Sequence, residues 1–503
     1  MLARGAFFNA LAFLASNLRG IFTFLVARLL GSASLGAFGL AWAITDLVSK
    51  LSTLGFDTGA IAAVAESEQA GDFAASRRLM RGTLGTALPV SVAIALIGFG
   101  VATLSGRSGV ASPVLARATA VMLLALPGIV LYRVSNALSR GKGVMHHDVY
   151  SRGLTESLGT SVALLGAITL GLRSLAPEIA AIAGTLASGI IAFVVARRLF
   201  VAGPATASKP GEIQALLRRS LPIAGYDLLN IGIMKIDLIM LGLFIGRAPG
   251  VTLASVGVYA AAMEVAGGLR KVNQTFNPIF APEVARQLAA GRLDKAQASY
   301  GHLARWMLAL LLPALAVLAL AGGAVMSLFG PTFRSGAGWM VIVSISCAVN
   351  AFVGLGETIL MVQHPKVNLI NSAIALLAGI GVNLVLIPRY GPLGAAIGML
   401  VPYTLQGMLR GIEVSWLLAW RWPWRSLRKP WFAALGALPL ALAARAVDDG
   451  IATQISAAAI YLASYLLVWR LVGLDPGDRA ILSHLFRRDV PATSLAGPSG
   501  EGA

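Results

Sequence analysis

Apolar stretches long enough to cross a hydrocarbon layer recur along almost the whole of this 503-residue chain, and no other feature narrows its fold so far. A helix needs about 20 residues to span the roughly 30 Å core of a bilayer. About 14 such runs follow one another, at residues 6–31, 34–64, 81–104, 113–139, 147–172, 177–201, 218–246, 255–281, 300–328, 336–362, 366–388, 392–417, 431–447 and 452–473. Lipid offers the backbone no hydrogen bonds, so each run must be a helix that satisfies itself. The expected fold is an all-α polytopic membrane protein. Charge is correspondingly scarce: 57% of the residues are hydrophobic and 12% charged, where a soluble domain carries roughly 45–50% and about 25%. The first run follows "MLARG" directly and is too long for a signal-peptide core, so it reads as a retained helix.

Basic residues are distributed unevenly between the loops. About 25 of the 40 Lys and Arg fall on one side, in "ASRRLMR", "SRGKG", "ARRLF", "LLRRS", "ARQLAAGRLDK", "WRWPWRSLRKP" and "LFRRD"; about 8 fall on the other side and about 7 within spans. Cytoplasmic loops are enriched in these residues, which predicts that both termini are cytoplasmic. The net charge of +18 follows from this bias, so nucleic acid is not an expected partner. The single Cys347 excludes an internal disulfide, and the histidines, His146 and His147 included, form no cluster at metal-ligand spacing. A Gly-rich loop ending in Gly-Lys-Ser/Thr is absent, which argues against ATP hydrolysis by the chain. Loops on the predicted outer side have about ten residues or fewer. They are too short to gather the acids and bases of a membrane glycosyltransferase, polymerase or ligase. The sequence points to no enzyme and no cofactor.

An internal repeat organises the spans. "SLGAFGLAWAITDLVSKL" from Ser34 aligns without a gap on "SVGVYAAAMEVAGGLRKV" from Ser255, 221 residues later. Ser34, Gly36, Ala41 and Lys50 match Ser255, Gly257, Ala262 and Lys271, while Phe38 meets Tyr259. Six crossings return a chain to its starting side, so spans 1–6 and 7–12 are expected to be two repeats of one topology. Parallel repeats of this kind are a transporter architecture, with the substrate path at their interface. The expected organisation is an N-lobe of residues 1–205, a C-lobe of 206–418, two further spans in 419–473 and a cytoplasmic tail, 474–503.

Cations inside the spans are the candidate site residues, because a charge near the bilayer centre costs on the order of 3 kcal/mol or more unless it faces a partner or a wet cavity. Lys50 and Lys271 are equivalent by the repeat; Arg19 and Lys235 are nearly so if the loop "GRAPGVTLAS" absorbs about six residues. Lys50 follows Asp46 by four residues, the favourable order for a helical ion pair, and Arg410 and Glu413 are three apart. Arg133 has no acid at helical spacing, and neither does Arg19. Asp237 stands across the helix from Lys235. Arg270 and Lys271 differ by about 100° around a helix and lie too deep to snorkel easily, with Glu264 on the stripe of Lys271. Pro89, Pro127, Pro222, Pro278, Pro313 and Pro402 fall within or at the ends of spans, where they bend helices.

Several stretches resemble bacterial polysaccharide transporters, the O-antigen and exopolysaccharide flippases of the multidrug/oligosaccharidyl-lipid/polysaccharide exporter superfamily. They are "LGSASLGAFGLAWAI", "LGFDTGAIAAVAESEQAGDFAASRRLMR", "VGVYAAAMEVAGGLRKVNQTFNPIFAPEVARQLAAGRLDKA" and "NLVLIPRYGPLGAAIGML", spread over residues 25–410. The resemblance implies a MATE-like fold of two six-helix lobes around a cavity opened alternately to each side of the bacterial inner membrane. It also implies a substrate made of undecaprenyl pyrophosphate carrying a short glycan, with H+ or Na+ as a possible coupling ion and the polysaccharide polymerase machinery and membrane lipids as partners. Peptidoglycan-precursor flippases of the superfamily carry basic residues on their first, second and eighth helices, where Arg19, Lys50 and Arg270 stand here. The substrate-binding set expected on this basis is Arg19, Lys50, Arg133, Lys235, Arg270 and Lys271. A cation-coupled multidrug exporter of the same fold and a non-transporting scaffold for polysaccharide assembly remain as alternatives.

Overall fold

A computed structural model describes residues 19–109, 112–200, 211–420 and 424–473. The first part of span 1, the connection after span 6 and the expected tail lie outside the described residues. Every regular element among the described residues is helical. The longer α-helices in chain order are α1 (Arg19–Ser52), α2 (Phe56–Gln69), α3 (Phe73–Arg107), α4 (Pro113–Leu123), α5 (Leu126–Gly141), α6 (Ser157–Thr169), α7 (Ala176–Leu199), α8 (Glu212–Leu243) and α9 (Leu253–Ala289). They are followed by α10 (Leu293–Leu320), α11 (Ala337–Gln363), α12 (Pro365–Tyr390), α13 (Pro392–Leu417), α14 (Trp424–Arg445) and α15 (Ile451–Val468).

Local chemistry explains several boundaries. Asp72 caps α3 by accepting from Ala75 N at 2.8 Å, Ser112 caps α4 ahead of Pro113, and Thr252 with Ser255 forms a reciprocal capping box that starts α9. Each expected span from the second to the fourteenth meets a helix or a pair of helices, but not all are straight. Spans 1 and 2 join through a single non-helical residue, Gly31, with φ 84°. Span 2 is not one helix: Leu54 (φ 53°) and Gly55 (φ 77°) break it between α1 and α2, although its apolar content continues unbroken. Span 4 bends by 40° between α4 and α5, where Pro127 lacks the amide a continuous helix would use. Span 5 begins with a π-helical turn, Val149–Glu156, before α6.

Among the described residues, seven helices, or eight counting the bent pair, are long and apolar enough to cross a membrane. Neither α8 nor α9 is in that set. Each carries three charges along its middle, Asp227, Lys235 and Asp237 on one and Glu264, Arg270 and Lys271 on the other. Helices of this kind face protein or a wet cavity rather than lipid.

The first half packs through α3 on α4 and α5, and α7 on α5 and α6; the second through α9 on α11, and α13 on α11 and α12. The hairpin of α14 and α15 rests on α10. Between the halves, α1 crosses α9 and also touches α8. The crossing realises the sequence repeat directly. A Cβ on Gly36 would stand 2.0 Å from Leu253 O and 2.8 Å from Gly257 N, and one on Gly257 would stand 1.8 Å from Ser32 O and 2.8 Å from Gly36 N. Ser32 and Leu253, Gly36 and Gly257, and the neighbouring Gly39 and Ala260 are all 221 residues apart. Equivalent positions therefore meet one another across a local two-fold axis. Lipid provides no hydrophobic drive between helices, so small residues that let backbones touch carry the association.

Candidate functional site

A cavity of about 310 Å³ opens between the halves. Its first wall comes from Phe22, Phe38, Trp42 and Asp46 of α1 and from Arg152 and Glu156 of the π-helical entry to α6. The facing wall comes from Lys235 of α8 and from Glu264, Gly267, Arg270, Lys271 and Gln274 of α9. Spacings of three and four along α9 put this last group on one stripe, wide enough to hold both Arg270 and Lys271 despite their angular separation. Four cations and three carboxylates thus share one small volume. One of the carboxylates, Asp46, is already engaged from behind by Arg133 Nη2 at 2.6 Å. Among the lining side chains cations exceed carboxylates by one, with the buried Asp237 carboxylate also acting on Lys235 and Arg270.

Three of the six expected site residues, Lys235, Arg270 and Lys271, line this cavity. Arg19 opens α1, and its side chain lies outside the described residues. Arg133 does not line the cavity. Sequence spacing gives it no acid, yet packing of α5 on α1 brings Asp46 to it from 87 residues away. Lys50 also departs from its expected pairing with Asp46. The break after Ser52 folds the start of α2 back, so that Lys50 Nζ reaches Asp57 at 2.5 Å and Asp227 of α8 at 3.0 Å. Thr53 Oγ1 donates to the other Asp57 oxygen at 3.2 Å. Lys50 is thus a junction between the halves, and a second one joins Arg78 Nε to Glu212 at 3.1 Å. The two halves also approach closely here: a Cβ on Gly55 would stand 2.4 Å from Ser220 O.

Within the second half, Asp237 is fully buried and accepts from Tyr259 Oη at 2.5 Å. Phe38 takes the place of Tyr259 in the first copy and packs edge-on against Phe22, with centroids 5.2 Å apart. Arg410 does not pair with Glu413 as its spacing suggests. It turns to Glu357 at 3.0 Å and Asn368 at 3.1 Å, while Glu413 accepts from Asn371 at 2.6 Å. A second cavity, of about 280 Å³, lies at the α14–α15 turn beside Arg334, Arg445 and Asp449. Both arginines donate to Asp449 there. Arg445 holds the Asp449 carboxyl below the usual carboxylate range. That cluster ties the hairpin to the second half.

Arg152 and Glu156 are functional candidates that spacing did not single out. They fall near the start of span 5, where an Arg and a Glu four apart look like a helical ion pair at the membrane surface. No group of three or more His, Cys, Asp or Glu able to hold a metal ion occurs among the described residues.

Residues 2–280 match the family described as polysaccharide biosynthesis protein. The fold is similar to that of the lipid II flippase MurJ in an inward closed conformation, with a TM-score of 0.74 and 11% identity over 95% of this chain and 99% of that one. It is also similar to an inward-facing multidrug resistance MATE family transporter of the MOP superfamily, with a TM-score of 0.65 and 18% identity over 82% and 94%. For the eukaryotic MATE transporter AtDTX14 the values are 0.61 and 14% over 85% and 97%. At these identities the likeness is one of fold. No curated protein sequence is similar enough to count as a relative. The family match covers more than half of the chain and takes in the glycine crossing and both walls of the charged cavity: this is a multi-pass membrane protein of the polysaccharide biosynthesis protein family.

Proposed function

We propose that the chain is a flippase that moves an undecaprenyl-pyrophosphate-linked oligosaccharide across the bacterial inner membrane by alternating access. The observation that carries this reading is the cavity between the halves, where Arg152, Lys235, Arg270 and Lys271 outnumber the carboxylates. A diphosphate supplies the missing negative charge, and the polyprenyl tail stays in lipid. A volume of about 310 Å³ is at the small end of the roughly 300–1,000 Å³ range of small-ligand sites. It holds the diphosphate and little more than the first sugar, so the glycan beyond it extends along the wet path between the lobes. On this reading residues 1–205 and 206–418 are the rocking lobes, both termini are cytoplasmic, and the Gly36–Gly257 crossing closes the periplasmic side. Likeness of fold to MATE and MurJ transporters supports transport by two repeats; H+ or Na+ is proposed as the coupling ion and the polysaccharide polymerase machinery as the recipient. Deleting the gene is expected to accumulate lipid-linked repeat units in the cytoplasmic leaflet. Unchanged lipid-linked glycans together with new sensitivity to cationic drugs would favour a multidrug exporter of the same fold.

A further inference from the structure

We infer that Arg152 is the first half's phosphate ligand and that it sets a preference for a diphosphate over a monophosphate. The inference rests on the reading of the cavity as a headgroup site. Arg152 lies on the π-helical turn Val149–Glu156, a geometry that recurs at functional sites. Its side chain is exposed and is one of the cavity's lining residues. No hydrogen bond or ion pair to a described residue holds it, in contrast to Arg133 one helix away, which is clamped on Asp46. Asp148 and Glu156 are the carboxylates that act on it electrostatically; of these, Asp148 is already engaged by Asn136 Nδ2 at 2.8 Å. Across the cavity Arg270 is also a lining residue; its guanidinium lies beside Tyr403 and Asp237, and its buried Nη1 has no hydrogen-bond partner among the described residues.

Two guanidiniums with unmet donors on opposite walls suit two phosphoryl groups. Each fork grips one phosphate in the bidentate way that guanidinium favours. With a monophosphate, Arg270 is engaged together with Lys235 and Lys271, and Arg152 is left over. Arg152 therefore contributes little to the binding of one phosphate and much to the binding of two. Removing a hydrogen bond to a charged group costs enough to lower affinity by about 10- to 100-fold.

The experiment compares polyprenyl monophosphate with polyprenyl diphosphate of the same chain length, binding to the purified full-length protein in detergent. Wild type is expected to prefer the diphosphate. Arg152→Ala should lose about 10- to 100-fold for the diphosphate, change by less than about twofold for the monophosphate, and so bring the ratio close to one. Arg152→Lys should give an intermediate ratio, and Arg270→Ala should weaken both probes. Should the Ala variant fail to fold, Arg152→Gln is read by the same ratio. An unchanged ratio in the neutral variant means that Arg152 only balances Asp148 and Glu156; it overturns the inference while leaving the lipid-linked reading intact. A wild type that does not distinguish the two probes overturns both.

Discussion

Replacing Gly36 by Ala tests whether the α1–α9 crossing is a closure that has to come apart. The added Cβ would sit 2.0 Å from Leu253 O and 2.8 Å from Gly257 N. Both neighbours are backbone, so no side-chain rotation relieves the contact, and the helices must part by about 1 Å or more. Overpacking of this kind costs about 1–3 kcal/mol, which lowers the population of the closed crossing about 5- to 150-fold if the protein can adopt a state in which the helices are separated. The assay is thiol labelling of a Thr23→Cys variant, whose new side chain lines the cavity. Native Cys347 is fully buried and gives little background. A membrane-impermeant reagent applied to the side that carries the crossing should label faster when Gly36→Ala is present, and Gly257→Ala should act in the same way. The two substitutions are expected to be less than additive, because the second methyl enters a gap the first has already opened. Gly85→Ala, in a helix with open space around it, serves as the control. Labelling that is the same in the Gly36, Gly257 and Gly85 variants would refute the reasoning.

Arg270→Ala should impair export of lipid-linked glycan with normal amounts of inserted protein, and Arg270→Lys should retain part of it, because charge survives while the planar fork is lost; normal export by the Ala variant at native expression would remove the headgroup role. Lys50→Ala should lower thermal stability in detergent by the roughly 3–5 kcal/mol typical of breaking a buried ion pair, since it strands Asp57, which is only 7% exposed. Lys50→Ala made together with Asp57→Asn should recover much of that loss; no recovery would mean that the pair is not what Lys50 contributes. Reporter fusions after Ala202 and within "WRWPWRSLRKP" should read cytoplasmic and one at Gly250 periplasmic, and a reversed result at Gly250 would overturn the orientation of the lobes.

Helical spans were legible because their length is fixed by the bilayer and each satisfies its own backbone, so no distant contact decides them. The repeat was legible for the same local reason, and its glycines turned out to be the points where the two copies touch. Lys235, Arg270 and Lys271 were expected at a cavity because a cation at mid-span is too deep to snorkel, and all three are among the lining residues. Pairing across helices was not legible. Spacing rules see only three or four residues along one helix, whereas Arg133 and Arg410 meet their acids 87 and 53 residues away, and Lys50 meets its two across a chain break, 7 and 177 residues away. The break at Leu54 and Gly55 was hidden by an apolar run that continues through it. Arg152 was missed because a charged residue near a span end reads as surface, and only the packing of α6 and α7 against α1 turns that end inward.

The repeat is imperfect where the proposed chemistry needs it to be. Lys50 and Lys271 are equivalent in sequence, but the chain break beside Lys50 delivers two carboxylates to it, while α9 runs through the equivalent place unbroken and leaves Lys271 on the cavity wall. Three of the four cavity cations therefore belong to α8 and α9, and Arg152 alone among the described residues comes from the first half. On the proposed reading, an anion gripped in this way would move mainly with the second half as the halves rock about the glycine crossing. Its contact with Arg152 is then the one that lengthens and shortens between states. A ligand shifts a conformational equilibrium only through differential affinity for the two states, so on that reading the lone arginine of the first half, rather than the larger cluster facing it, is where binding of a diphosphate would couple to closure.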